Sequence, residues 1–216
     1  MNLSYSIVSF MALLLSISVH ECFHALSANY FGDDTAKRMG RMTINPIPHI
    51  DPIGTLILPL LILVSGSGFL IGWAKPVPVD IRNLKNPRKD NLWISFAGPL
   101  SNLMLAIIFA IIFKLFIHSV NSSSVLNNSK IIEPLMIFIY MSIRINVILA
   151  IFNMIPVFPL DGSGVLLGLL PPSKAIAYER LRPYGFIIIM ALFFTNVLGM
   201  IITPLSNLIF SLIGVS

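Results

Sequence analysis

Apolar residues occur along this chain in long, nearly uncharged runs that are separated by short polar loops. The runs are residues 4–30, Ile53–Trp73, Asn91–Phe113, Ile131–Ile155 and Pro183–Ser216, with a shorter one at Gly162–Leu170. A helix needs about 20 apolar residues to cross a bilayer, so each of the long runs could span one, whereas the short run could not. The pattern predicts an all-α polytopic membrane protein with about 5–6 transmembrane or re-entrant helices.

Interruptions are predicted in two of the runs. Ser65-Gly66-Ser67-Gly68 breaks the run Ile53–Trp73, and we expect it to bend back as a re-entrant segment; a plain crossing is the alternative. The last run is longer than one span needs, and Pro204 is expected to divide or kink it.

Composition supports a membrane protein and excludes several other classes. Hydrophobic residues make up 56% of the 216 positions and charged residues only 11%, compared with about 25% charged residues in soluble domains. This length leaves room for a single membrane domain, residues 1–216, without a sizeable soluble one. The net charge of +5 comes from basic residues in short loops. We therefore expect no nucleic-acid partner.

The distribution of basic residues predicts the orientation. Segments 75–89 and 174–182 are rich in Lys and Arg, whereas the loop 121–130 is polar with little positive charge. By the positive-inside rule, the first two are cytoplasmic and the third is external, in a multi-pass protein of the plasma membrane. Cys22 is the only cysteine, so an internal disulfide is excluded.

The first apolar run carries an H-E-x-x-H motif formed by His20, Glu21 and His24. Histidines four residues apart lie on one face of a helix, so both imidazoles can reach a single metal ion. Zinc makes a bound water acidic enough for a neighbouring glutamate to accept its proton. The simpler alternative is a pair of helix histidines that hydrogen-bond to neighbouring helices, with Glu21 as their ion partner.

A catalytic zinc site needs a third protein ligand, and Asp161 is the preferred candidate. It lies in NMIPVFPLDGSG, where Pro156 and Pro159 should end the fourth helix and let an aspartate point inward. Asp161 could instead simply cap the following helix. His49 and Asp51, in a proline-rich stretch, are rival ligands.

Four motifs follow one another along the chain. They are the HECFH region with the loop that follows it, GWAKPVPVD, FAGPLSNLMLA and NMIPVFPLDGSG. In this order they resemble the site-2 protease family of intramembrane zinc metalloproteases, peptidase family M50, in its compact prokaryotic form without a PDZ or CBS domain. The resemblance covers nearly the whole chain.

The resemblance implies a role for several residues. His20, His24 and Asp161 would hold one Zn²⁺ per chain, and Glu21 would be the general base. Asn153 would stabilise the oxyanion and Asn102 would help to shape the site. Residues 73–79 would form a short β-like membrane-edge loop that offers backbone groups to an unwound substrate.

The resemblance also implies a function: hydrolysis of peptide bonds within or near transmembrane segments, with an active site toward the cytoplasmic side. The expected partners are a transmembrane protein substrate and the lipid bilayer, and a homo-oligomer is compatible with the sequence. The alternatives are a zinc transporter, a catalytically silent scaffold, and a metallohydrolase that acts on prenylated peptides or lipids. Arg144 lies in the middle of the fourth run and has no assigned role; we expect it to be shielded from lipid.

Overall fold

The computed structural model describes residues 3–58, 61, 72–122 and 129–215. In chain order, the α-helices of these ranges are α1 (Leu3–Phe31), α2 (Thr35–Arg38), α3 (Pro87–Ser122), α4 (Ser129–Asn153), α5 (Asp161–Leu169), α6 (Pro172–Glu179), α7 (Gly185–Phe194) and α8 (Val197–Ile213). Short 3₁₀ turns cover Ile47–His49, Ile81–Asn83 and Arg182–Tyr184, and a π-helical turn covers Pro52–Ile57.

Helices α1, α3 and α4 are each long and apolar enough to cross a membrane. The stretch 172–194 and α8 form a bent pair, at 74°, that gives a fourth span if the pair crosses as one unit. Within the described ranges the chain is helical and contains no β-strand. The prediction of an all-α membrane protein is confirmed at this level. The predicted bend at residues 65–68 lies outside the described residues.

The last apolar run is interrupted at a different place from the one predicted. Helix α8 continues through Pro204, and the break lies at Asn196, whose backbone is left-handed with φ 60°. Asparagine tolerates this conformation better than most residues because its short polar side chain can hydrogen-bond locally. Pro204 therefore does not divide the run, and the alternative of a kink at this residue stays a prediction.

Small residues on α1 allow the long helices to approach one another closely. Ala12, Ser16, Ala25 and Ala28 are fully buried at the interface, and α1 packs against both α3 and α4. Small side chains of this kind are typical of helix contacts in membranes, because packing there has no hydrophobic driving force. Helices α1, α3 and α4 thus form a three-helix core.

Helix α5 brings its first residue, Asp161, toward this core. Helix α4 ends at Asn153, and the proline-containing turn that follows leads directly into α5. Gly168 lies so close to α3 that an added Cβ would be 2.5 Å from the Cβ of Leu92, and Gly164 is similarly tight against Ser95. These two glycines therefore permit the close α3–α5 contact that fixes Asp161.

Candidate metal centre

His20 and His24 face each other one turn apart on α1. Both are buried, with 6% and 8% of their surface exposed. Their Nε2 atoms are 3.0 Å apart, and the ring planes are almost perpendicular, at 83°. The spacing of the motif therefore brings two imidazole nitrogens to one point inside the helix bundle.

Asp161 completes this pair from a distant part of the chain. Its Oδ2 lies 3.0 Å from Nε2 of His20 and its Oδ1 lies 3.3 Å from Nε2 of His24. One ligand atom from each of the three residues lies within 4.8 Å of the other two, and no other group of at least three His, Cys, Asp or Glu residues in the described ranges meets this condition. The structure thus brings together the three residues that the sequence singled out as ligands.

The hydrogen bonds of the imidazoles indicate which nitrogens carry protons. Nδ1 of His24 lies 2.7 Å from the carbonyl oxygen of Ile94, and Nδ1 of His20 lies 2.6 Å from Oδ1 of Asn102. Both partners are acceptors, so we assign the proton to Nδ1 in each ring. In the neutral imidazoles, both Nε2 atoms then carry lone pairs directed at the centre of the cluster.

A relay of buried amides supports this assignment at His20. The side-chain NH₂ of Asn146 donates to Ser142 O at 2.8 Å and to Ser16 Oγ at 2.7 Å, so its Oδ1 faces Asn102. Asn102 donates its own NH₂ to that oxygen at 2.7 Å and to Ser16 O at 3.2 Å. Its Oδ1 is therefore the atom that accepts from His20. The backbone carbonyls of Ser142 and Ser16 can only accept hydrogen bonds, so they fix the orientation of both side-chain amides.

Asn146 was not singled out in the sequence analysis. It is fully buried, and the available signal was an asparagine in the middle of an apolar run, at a depth where polar side chains bond across helices. Asn102 was expected to shape the site; it contacts Nδ1 of His20, and its effect on the site stays a prediction.

The cluster has the properties of a cation site. Two Nε2 lone pairs and one carboxylate converge, and Asp161 Oδ2 is buried without a hydrogen-bond partner in the described part of the chain. Gly98 lies beside them: an added Cβ would be 2.6 Å from Nε2 of His20 and closer still to Nε2 of His24. The absence of a side chain at this position leaves space next to the ligand atoms. Two imidazoles and a carboxylate are a donor set that suits zinc.

Glu21 lies next to the cluster in sequence and is held by the segment 72–80. The backbone N–H of Val77 donates to its Oε2 at 2.8 Å, whereas its Oε1 accepts no hydrogen bond from the described residues. Arg41 holds the same segment by donating to the carbonyls of Lys75 at 2.7 Å and Pro76 at 2.9 Å. Glu21 is thus oriented with one carboxylate oxygen fixed and the other unengaged.

The segment 72–80 differs from the β-like loop that was expected. It forms no strand, and several of its polar backbone groups already bond to the chain itself, including the N–H of Lys75, which donates to His49 O at 2.9 Å. Pro76 and Pro78 have no N–H to offer. A substrate strand could therefore pair only with the remaining groups or after the segment shifts.

Asp33 anchors the far end of this segment to the end of α1. Its side chain is fully buried and accepts from the N–H of Asp80 at 2.8 Å, from Asn83 Nδ2 at 2.9 Å and from Thr35. Burial alone raises the pKa of the Asp33 carboxyl, but these hydrogen bonds outweigh that effect and leave the pKa below its usual value.

The other sequence candidates make contacts of a different kind. Asn153 donates to Leu149 O, 3.0 Å away on its own helix. His49 Nε2 lies 2.8 Å from Thr43 O, and Asp51 accepts from the N–H groups of Ile53 and Gly54. His49 and Asp51 therefore have structural partners and do not join the cluster of His20, His24 and Asp161.

Comparison with known proteins gives a consistent result. Residues 8–196 match the model of peptidase family M50. The chain is 39% identical over 195 residues, 90% of its length, to the Bacillus subtilis protein named "Putative zinc metalloprotease YwhC", of which it covers 84%. It is 29% identical to "Putative zinc metalloprotease Rip2" of Mycolicibacterium smegmatis and 27% identical to the Rip2 of Mycobacterium tuberculosis H37Rv, covering 94% of this chain and 73% of each relative.

No solved structure matches the chain significantly. The family match covers the H-E-x-x-H helix, the helix that carries Asn102 and the turn that leads to Asp161. The chain belongs to peptidase family M50.

Proposed function

We propose that this protein is an intramembrane zinc metalloprotease that cleaves peptide bonds within or near transmembrane segments of other membrane proteins. The observation that carries the proposal is the convergence of His20, His24 and Asp161 inside a helix bundle whose helices are long enough to cross a membrane. Family membership supports the same chemistry.

The proposed cofactor is one Zn²⁺ per chain, held by Nε2 of His20, Nε2 of His24 and the Asp161 carboxylate. Three protein ligands leave one position open, as in catalytic zinc sites generally. When bound there, zinc would supply Lewis-acid polarisation of water and of the scissile carbonyl.

The remaining chemistry belongs to side chains of this chain. Glu21 would take the proton of the attacking water on Oε1, the oxygen that is unengaged, and later give it to the departing amine. The Val77 N–H would keep Glu21 in position while this happens. Asn153 would donate its amide to the developing oxyanion; one of its two N–H groups now donates to Leu149 O.

The depth and orientation of the centre fit a site approached from the cytoplasm. His20 and His24 lie 7–11 residues before the end of α1 at Phe31, which corresponds to about 10–16 Å along the axis. Basic residues follow this end of α1 along the chain, in the loops that lead to α3 and in the first turn of α3. They are Lys37, Arg38, Arg41, Lys75, Arg82, Lys85, Arg88 and Lys89. By the positive-inside rule, this end faces the cytoplasm; the location that we propose is the plasma membrane.

The rival functions predict different arrangements of ionisable groups. A transporter would have such groups distributed along a path through the membrane, whereas the metal-binding cluster of the described residues lies at one level. A silent scaffold would not need Glu21 beside the ligands. Zinc flux into proteoliposomes separates transport from hydrolysis.

Glu21→Gln tests the proposal, with the wild type and Glu179→Gln as references. Glu179 is an exposed glutamate paired with Arg182. Its substitution by glutamine removes one negative charge, as Glu21→Gln does, but at a position outside the metal centre. We expect Glu21→Gln to retain zinc and lose at least about 100-fold in cleavage of a model transmembrane substrate, the usual contribution of a general base. Glu179→Gln should cleave normally. Wild-type cleavage by Glu21→Gln would refute the assigned role.

A further inference from the structure

Arg144 is a charged residue of the membrane-crossing helix α4 that the metal centre does not use. Its side chain is exposed on the surface of the chain. It donates through Nη1 to Tyr140 Oη at 3.0 Å, and its guanidinium lies 5.7 Å from the ring centres of both Tyr140 and Phe210. None of the ion pairs in the described ranges includes it.

An exposed guanidinium at membrane depth is costly without a counter-ion. Arg144 opens onto a cavity of about 240 Å³, lined by Tyr140, Arg144, Asn207, Phe210 and Val215. Asn207 adds a second exposed polar side chain, from α8. Phe210 and Val215 supply an apolar wall. Hydrogen-bond donors beside an apolar wall suit an anionic group attached to a hydrocarbon chain.

The depth of Arg144 can be derived from contacts between helices. Asn146 bonds to Ser16, so these two residues lie at the same level. The candidate span of α1 ends at Phe31, which we take as one edge of the hydrocarbon layer. Ser16 is 15 residues before Phe31 and therefore lies about 22 Å into this layer, which is about 30 Å thick. Arg144 lies two residues farther from the metal centre. Helical side chains lean toward the N-terminus of their helix, and the bond to Tyr140 shows that Arg144 does so.

The guanidinium therefore reaches the edge of the hydrocarbon layer on the side away from the metal centre. Lipid phosphate groups lie at this edge, and Arg extends its charged head toward them. The side chain of Lys114, from α3, also lies near this edge. Its Nζ is close to Gly214, because a Cβ built on that glycine would be 2.5 Å from it. Gly214 directly precedes Val215, which lines the cavity. A second positive charge thus lies close to the cavity.

We propose that the Arg144 cavity binds the phosphate group of a membrane phospholipid, in the leaflet farther from the metal centre. A guanidinium presents several N–H donors in one plane and matches phosphate oxygens in pairs. A phospholipid is favoured over free phosphate because the apolar wall formed by Phe210 and Val215 would contact its acyl chain.

Native mass spectrometry of the detergent-purified protein tests this site. The probes are a phosphatidylglycerol and a diglycosyl diacylglycerol with the same acyl chains, which has no phosphate. We expect the wild type to prefer phosphatidylglycerol by about tenfold or more, the value of one charge-assisted hydrogen bond. Arg144→Gln should lose the preference and Asn207→Leu should reduce it.

Arg38→Gln is the matched control, because Arg38 is an exposed arginine near the metal-centre end of α1 and pairs with Asp34. It should keep the wild-type preference. Zinc content of each variant reports whether the bundle is intact. Equal binding of the two lipids by the wild type, or an unchanged preference in Arg144→Gln, would overturn the proposal. Displacement of the lipid by inorganic phosphate would also overturn it and would assign the cavity to free phosphate.

Discussion

The amide oxygen of Asn102 lies 2.6 Å from Nδ1 of His20. This contact assigns the proton of the imidazole to Nδ1 and leaves the Nε2 lone pair directed at Asp161. Partners of this kind orient a metal-binding histidine and raise its basicity. The orientation of Asn102 is set in turn by Asn146 and by the backbone at Ser16.

Asn102→Leu should weaken zinc binding without removing a ligand. The leucine preserves approximate volume but cannot accept the hydrogen bond from the Nδ1–H of His20. We expect about a 10- to 100-fold loss of zinc affinity, typical of such partners, measured by competition with a fluorescent chelator. The unfolding temperature of the metal-free protein separates this loss from general damage. Affinity equal to the wild type would contradict the tautomer assignment.

Asn146→Leu tests the relay one step farther from the metal. Asn146 touches none of the three proposed ligands in the hydrogen bonds described, so a purely structural role would leave zinc affinity unchanged in the folded variant. We expect a smaller loss than for Asn102→Leu, about 3- to 10-fold, because Asn102 can partly retain its orientation through Ser16. A larger loss of zinc affinity than for Asn102→Leu, at equal stability, would contradict the proposal that Asn146 acts on His20 through Asn102.

Gly98→Ala should obstruct the metal position. The added methyl group would lie 2.6 Å from Nε2 of His20 and closer to Nε2 of His24, so the histidines would have to move. We predict a loss of zinc affinity of about 100-fold or more, measured as above. Ala97→Ser, one residue away, is the control and should bind zinc normally. Normal zinc binding by Gly98→Ala would place the ion elsewhere.

Asp33 gives a prediction for pH dependence. The pKa of Asp33 is lower in the folded protein than in the unfolded chain. The stabilising effect of its charge is therefore fully present above the pKa of the unfolded chain, about 3.9, and disappears as the pH falls through the pKa of the folded protein. Asp33→Asn should therefore increase hydrogen exchange in residues 79–84 at pH 7. As the pH falls below about 4, the difference from the wild type should shrink. A constant difference across this range would show that the charge of Asp33 has no part.

The fold class and the ligand cluster could be predicted from the sequence because both depend on strong local signals. Uncharged runs longer than a bilayer crossing leave few alternatives to membrane helices. The spacing of His20 and His24 fixes their relative position on any helix. Asp161 was identifiable because the prolines before it end α4 and allow the chain to turn toward the interior.

Features that depend on helix packing were not predictable. The role of Asn146 requires knowing that α1, α3 and α4 meet at Ser16, and no single run carries that information. The break at Asn196 was assigned to Pro204 because proline is the stronger helix breaker in isolation, yet α8 continues through it. The surroundings of Arg144 also depend on packing, because its contact with Phe210 requires knowing how α4 and α8 meet.

The zinc content of the purified protein is the most direct test of a cation shared by His20, His24 and Asp161. We predict one zinc per chain in the wild type and in the rival-ligand variants His49→Ala and Asp51→Ala, and less than about a tenth of that in Asp161→Ala. Full zinc occupancy in Asp161→Ala, or its loss in Asp51→Ala alone, would contradict the assignment.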